Sequence, residues 1–192
     1  EDVYVPWLNA HPEVSFIIAP HEFNETRLEQ LRNRFHGDVI LLSEWTREIK
    51  RAGLPSGEIP EYLKRVRGMI IDSFGKLSSL YRFADVAYIG GGFGAGIHNL
   101  NEAAVYGMPV IFGPNNVKFK EAADLVECGG GFSVASREEF CHIIDILYGS
   151  PADLKLAGDA AGKYICDHLG ATDLIYNDLF GDKRMQSDIE SK

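Results

Sequence analysis

Between Val86 and Gly113 the chain reads VAYIGGGFGAGIHNLNEAAVYGMPVIFG, in which an apolar run meets a glycine-rich loop and then His98, Asn99 and Glu102. Gly90, Gly91, Gly92, Gly94 and Gly96 let the backbone turn tightly and approach a ligand closely. A strand that runs through such a loop into a helix presents unpaired N–H groups and the positive end of the helix dipole. At an exposed site these favour a phosphate by about 0.3–1 kcal/mol. Helical spacing would place His98, Asn99 and Glu102 on one face of the first turns. Glu102 then suits the hydroxyls of a ribose, and Asn99 and His98 suit a phosphate or a sugar acid. The spacing of Asn99 and Glu102 is equally that of a capping box, which satisfies orphan amides without any ligand. Spacing alone leaves both readings open.

Other strand ends carry polar residues as well. FIIAPHEFNE, from Phe16 to Glu25, runs an apolar strand into Pro20 and leaves His21 at its carboxyl end, with Asn24 placed as a helix N-cap. IDSFGKLSSLY, from Ile71 to Tyr81, sets Ser73, Phe74, Gly75 and Lys76 where backbone amides and a cation would meet a base or phosphate. The same turn also reads as serine-capped. GPNNVKFK, from Gly113 to Lys120, ends a further strand and carries Lys118 and Lys120. The motif GGGF occurs at Gly90–Phe93 and again at Gly129–Phe132. Ligands of open α/β sheets sit outside the carboxyl ends of the strands, so the first copy, which follows a strand, lies at the binding edge. The second precedes a strand and reads as a helix C-cap and turn.

The elements that position these loops alternate from end to end, strand-like apolar runs with amphipathic helices, the pattern of a parallel sheet with helices on both faces. Strands are expected at Val14–Ala19, Val39–Ser43, Met69–Asp72, Val86–Ile89, Val110–Phe112 and Phe132–Val134. Leu28, Leu31 and Phe35 mark one helix face; Phe140, Ile143, Ile144 and Leu147 mark another. Pro55, Gly57 and Pro60 interrupt the charged stretch Glu44–Arg67, which reads as a surface excursion. Residues Pro151–Phe180 read as one or two closing helices. One domain is expected over residues 1–180, with a polar, frayed tail over 181–192.

With 192 residues, 45% of them hydrophobic, the chain can bury one substantial core. A formal charge of -9 argues against nucleic-acid binding through a basic surface, so any anion site must be local. Cys128, Cys141 and Cys166 form no CxxC pair, which supports neither a disulfide framework nor a cysteine zinc site, and a reducing compartment is expected. No run approaches the roughly 20 apolar residues of a membrane span, so solubility is expected. The chain opens on Glu1 and Asp2 at what reads as a helix start, and the natural protein is expected to continue upstream. A nucleophile elbow of the GxSxG type, a GxxxxGK[ST] loop and an HExxH pair are all missing, and Glu121 and Asp124 fall on a solvated helix face.

The order of IIAPHE, IDSFGKLSSLYRFADVAYIGGGF, GIHNLNEAAVYGMPVIFGP and NVKFKEAADL resembles the C-terminal half of the 3-deoxy-D-manno-octulosonic acid (Kdo) transferases along nearly the whole chain. The resemblance implies a Rossmann-like domain, the C-terminal half of a two-domain GT-B type glycosyltransferase. It implies CMP-Kdo as donor, inverting transfer with no metal or other cofactor, and a lipid A precursor as acceptor, bound by an N-terminal domain. Carried over position by position, it implies His21 and the turn of Ser73, Phe74 and Gly75 near cytidine, and Glu102 on ribose. Gly91, Gly92, Phe93, His98 and Asn99 would then lie near phosphate and Kdo. The general base would be a carboxylate of the N-terminal domain, so no catalytic residue is expected in this chain, which alone would be inactive. A Gly-Ser-Thr turn just upstream of Glu1 would add phosphate contacts. The whole enzyme would associate with the cytoplasmic face of the bacterial inner membrane.

The chain departs from the family pattern where Leu100 and Asn101 replace Pro and Leu, and where Lys76 stands in place of a common Glu. The first change bears on the helix start and the second on any acidic contact at that turn. A UDP-sugar transferase or epimerase of the same architecture is the nearest alternative, since a glycine loop and a ribose Glu do not choose the base. A nucleotide-binding or interaction domain without catalysis is the other.

Overall fold

The computed structural model describes residues 1–21, 24–94, 96–170, 175, 176, 178 and 179; the tail expected over 181–192 lies outside them. Among the described residues six short parallel strands pair in two sets of three. β1 (Phe16–Ile18), β2 (Val39–Leu41) and β3 (Gly68–Ile70) form one sheet in the order β1-β3-β2. β4 (Ala87–Ile89), β5 (Val110–Phe112) and β6 (Gly131–Ser133) form the other in the order β4-β5-β6. The architecture is α/β with parallel sheets, as the alternating pattern predicts, but the strands form two separate hydrogen-bonded ladders instead of one sheet.

The second sheet is covered on both faces, and the alternation along β5 shows how. Val110 and Phe112 enter a core with Leu100, Ala103 and Ala104 on one side, together with Leu125 of α6 (Lys120–Cys128) and Ala161 of α8 (Pro151–Asp167). Ile111 points the other way, into a cluster with Trp7, Val134 and with Phe140, Ile144 and Leu147 of α7 (Arg137–Gly149). All three β5 residues are fully buried, which is why the strand reads as a continuous apolar run. The first sheet differs. Its Ile70 packs with Leu28 and Leu31 of α2 (Glu25–Arg32) and with Phe35, while Ile17, in register with Met69 on its neighbour, stays 39% exposed. Asn24 caps α2 as expected, its Oδ1 accepting from the Arg27 N–H at 2.9 Å.

The segment Glu44–Arg67 is not a plain excursion. α3 (Leu42–Ala52) occupies its first part, with Leu42, Trp45 and Ile49 half-buried at helical spacing. Gly53 ends it in the left-handed region at φ 60°, so the prolines that obscured the pattern fall after the helix. A side-chain carboxylate oxygen of Glu44 accepts from the Leu41 N–H at 3.1 Å.

The two ladders are bridged by α1 (Val5–Ala10). Val5 packs into the cluster of the first sheet and Trp7 into that of the second, with the Trp7 indole N–H donating to Asp145 at 2.6 Å. Arg67, which precedes β3, donates to the carbonyls of Leu8 (2.6 Å) and His11 (3.2 Å) and places its guanidinium 5.3 Å from the centre of the Phe16 ring. Glu1 and Asp2 lie just ahead of α1 and pair with Arg27 and Arg34.

The second GGGF motif is a helix end, as its position before a strand predicts. Gly129 follows α6 at φ 80°, and the Gly130 N–H donates to the Leu125 carbonyl at 2.9 Å. A Cβ on Gly130 would stand 2.6 Å from the Ala161 nitrogen on α8, whereas one on Gly129 would meet nothing within 4 Å. Gly130→Ala is therefore expected to cost about 1–3 kcal/mol of stability in urea denaturation, because backbone must move. Gly129→Asn, which tolerates the left-handed region, should cost less than about 1 kcal/mol.

Candidate functional site

The carboxyl ends of β1, β3, β4 and β5 deliver their loops to one edge. The pairing of Ile18 with Ile70, extended by the Ile71 N–H donating to the Ile18 carbonyl at 2.8 Å, sets the Ser73–Gly75 turn beside the chain that leads to His21. The pairing of Ile89 with Phe112 sets the glycine loop beside Gly113. Between the two sheets the His21 and His98 rings stack, with centroids 5.2 Å apart and planes inclined by 14°. This contact brings the β1 loop and the β4 loop together, which no reading of either loop alone could establish.

Within the glycine loop, different glycines answer to different demands. Gly91 has φ 89°, and a Cβ there would lie 2.2 Å from the Gly96 carbonyl oxygen. Gly92 is buried, and its Cβ would lie 2.6 Å from the Cα of Gly113. The two loops touch backbone to backbone, so glycine at 92 is required by packing whatever else it contacts. Phe93 is 48% exposed beside it. The loop is held further by the Gly94 N–H donating to the Gly91 carbonyl at 2.8 Å and the His98 N–H to the Gly90 carbonyl at 3.3 Å.

His98 and Asn99 lie ahead of the helix that the spacing placed them on. α5 spans only Asn101–Ala104, with Leu100 at its N-cap position and fully buried. Asn99 Oδ1 accepts from the Asn101 N–H at 3.0 Å, and its amide nitrogen donates to Glu102 Oε1 at 3.2 Å. The capping box is thus not formed: the asparagine makes a local turn and presents its amide to the carboxylate. A single helical turn also carries little macrodipole, so the dipole contribution expected from the sequence shrinks, leaving loop amides and side chains. His21, Gly91, His98, Asn99 and Glu102 are all exposed at this edge.

Tyr81 is a neighbour of Glu102 that the sequence did not single out. Burial first, and then the Glu102 charge, push its phenol up to about 12, so it stays protonated and neutral through the physiological range. At the β3 end, Phe74 is 82% exposed and Gly75 sits at φ 73° with open space around it. Ser73 is not a cap, since α4 (Leu77–Leu80) begins after Lys76 and no side chain caps it. Asp72 reaches back to the start of α3, accepting from the Ser43 N–H (3.0 Å) and hydroxyl (2.5 Å). Lys120 turns onto α6 and pairs with Asp124 at 2.5 Å, which leaves Lys118 as the lysine of that loop ahead of the helix. An apolar cleft of about 340 Å³, lined by Phe132, Ile143, Leu147 and Leu156, opens near the amino end of β6, away from this edge. Among the described residues no three of His, Cys, Asp and Glu are grouped to hold a metal ion, and no helix is long and apolar enough to cross a membrane.

No family model matches the chain. A 3-deoxy-D-manno-octulosonic acid transferase of Bordetella pertussis is 33% identical over 124 residues, 64% of this chain and 28% of that protein. The Aquifex aeolicus enzyme of the same name is 33% identical over 90 residues, covering 46% of this chain and 26% of its own. A probable mitochondrial member from Arabidopsis thaliana is 28% identical over 153 residues, 77% of this chain and 32% of its own. The chain is homologous to the Kdo transferases. It spans about a third or less of the curated relatives it matches. Among solved structures it is similar to the C-terminal CMP-Kdo binding domain of WaaA from Acinetobacter baumannii, with a TM-score of 0.65 and 16% identity over 85% of this chain and 80% of that one. That likeness shows the fold alone, α/β with parallel sheets, and the homology to Kdo transferases rests on the sequence relatives.

The packing of the glycine loop yields a test of its construction. Gly92→Ala is expected to lower stability by about 1–3 kcal/mol, read by thermal or urea denaturation, because the added carbon meets backbone on both loops. Gly94→Ala, whose Cβ would lie 3.6 Å from the Gly91 carbonyl oxygen, should stay within about 0.5 kcal/mol of the parent.

Proposed function

We propose that this chain is the donor-binding domain of a Kdo transferase and holds CMP-Kdo at the edge where the β1, β3 and β4 loops converge. The stacked pair of His21 and His98 carries the reading, because it brings two loops from separate sheets together beside the glycine loop. The cytidine would lie toward Ser73, Phe74 and Gly75, in the turn that follows β3. Glu102, held at one oxygen by Asn99, would take the ribose hydroxyls. The amides of Gly91, Gly92 and Phe93, with His98 and Asn99, would take the phosphate and the sugar acid.

In this scheme an acceptor hydroxyl attacks the anomeric carbon of Kdo, the bond to the CMP phosphate breaks, and the departing negative charge is stabilised by preorganised N–H donors. The proton of the acceptor passes to a carboxylate outside this chain. The acceptor would be a lipid A precursor, met at the cytoplasmic face of the bacterial inner membrane as a step of lipopolysaccharide assembly. Transfer would require no metal, and this domain by itself would not turn over.

Calorimetric titration with CMP, UDP, ADP and Kdo tests the donor. A preference for CMP is expected, and saturation at 100 times its dissociation constant should add about 2.7 kcal/mol of stability, visible as a melting shift. A clear preference for UDP would overturn the Kdo assignment in favour of a UDP-sugar enzyme, and no nucleotide binding would point to an interaction domain. Glu102→Gln should weaken CMP by roughly tenfold or more while barely changing 2′,3′-dideoxy-CMP, since a charge-assisted hydrogen bond to the ribose is lost only when a hydroxyl is present.

A further inference from the structure

We infer that Asn115 is a positioning residue of the donor site, shaping the glycine loop so that its amides face the phosphate of a bound CMP. The inference rests on the reading of that loop as the phosphate contact. Asn115 follows β5 in the sequence GPNN and is bound to the loop of β4 through both its backbone and its side chain. Its N–H donates to the Gly92 carbonyl at 2.9 Å, and its Nδ2 donates to the Gly94 carbonyl at 2.8 Å. These acceptors flank Phe93. In a planar trans peptide the N–H points opposite to the preceding carbonyl, so holding the Gly92 carbonyl toward Asn115 turns the Phe93 N–H away from it. The Gly91 carbonyl, occupied by the Gly94 N–H, directs the Gly92 N–H in the same manner.

The support under Asn115 is itself rigid. Asn116 donates through Nδ2 to the Gly113 carbonyl at 3.1 Å and to the Ser133 hydroxyl at 2.8 Å, tying the β5 loop back to β6. The Gly113 backbone lies directly beneath Gly92, and the Phe119 ring stands 3.1 Å from where a Cβ of Gly96 would be. Glycine offers no conformational preference of its own, so a run of glycines keeps one shape only if neighbours impose it. Asn115 supplies that constraint from outside the loop. It touches loop carbonyls and no reacting atom, so its role is to orient.

The test compares CMP with cytidine, which lacks the phosphate, on the wild-type chain and on Asn115→Ala and Asn115→Asp by calorimetry, with melting temperatures alongside. In Asn115→Ala the affinity for CMP should fall about three- to tenfold while cytidine stays within about twofold, the size of one hydrogen bond's net effect felt only by the phosphate. Asn115→Asp, nearly isosteric, replaces the donor by a carboxylate. It should lose CMP more severely than Asn115→Ala, and the excess should shrink with added salt. If Asn115→Ala does not fold, Asn115→Asp carries the same comparison. Equal losses for CMP and cytidine, or no loss for either, would reduce Asn115 to a structural brace and overturn the inference. A wild-type chain that binds CMP no better than cytidine would remove the phosphate-loop reading itself, and with it this inference.

Discussion

The close approach of Gly92 to Gly113 is the constraint on which the site depends. Parallel pairing of β4 with β5 brings both loops to the same edge, but only two residues without side chains let their backbones meet, with a hypothetical Cβ at 2.6 Å from the opposing Cα. From that contact the rest follows: Asn115 comes within reach of the Gly92 and Gly94 carbonyls, the loop is folded back on itself through Gly91 and Gly94, and His98 emerges beside Gly90. Gly92 and Gly113 are therefore required by packing alone, whatever the loop contacts.

The break between the two sheets shapes the site in a different way. A continuous ladder would have joined the two sets of strands through backbone hydrogen bonds. Here α1 spans the junction instead, with Val5 in one core and Trp7 in the other, and Arg67 holding the end of α1 from the start of β3. At the carboxyl edge the His21–His98 stack brings the β1 and β4 loops together. In a chain of net charge -9, Glu102 at this edge is engaged by Asn99 and lies near the neutral phenol of Tyr81.

Much of this was legible in the residue pattern, because strands buried on both faces write themselves as apolar runs and helix faces recur at helical spacing. The six strands, the Asn24 cap and the different nature of the two GGGF motifs could all be read that way. What misled was local ambiguity. Asn99 and Glu102 have the spacing of a capping box, yet the helix starts at Asn101 and the two side chains bond to each other. Prolines at 55 and 60 hid α3 because they lie just beyond its end. Asn115 and Tyr81 carried no motif, although a pair of amides in a Gly-Pro turn after a strand was a signal available in GPNN.

The sequence by itself determined the class of fold, the order of its elements, the likeness to Kdo transferases and the set of loops at the carboxyl ends of the strands, since periodicity and topology follow from short-range patterning. Only the tertiary structure decided which residues of those loops meet. Contacts such as His21 with His98, Asn115 with Gly94 and Gly92 with Gly113 join positions far apart in the chain, and they depend on how strands align and helices pack. No local preference of a glycine, an asparagine or a histidine specifies its partner; the packed core does.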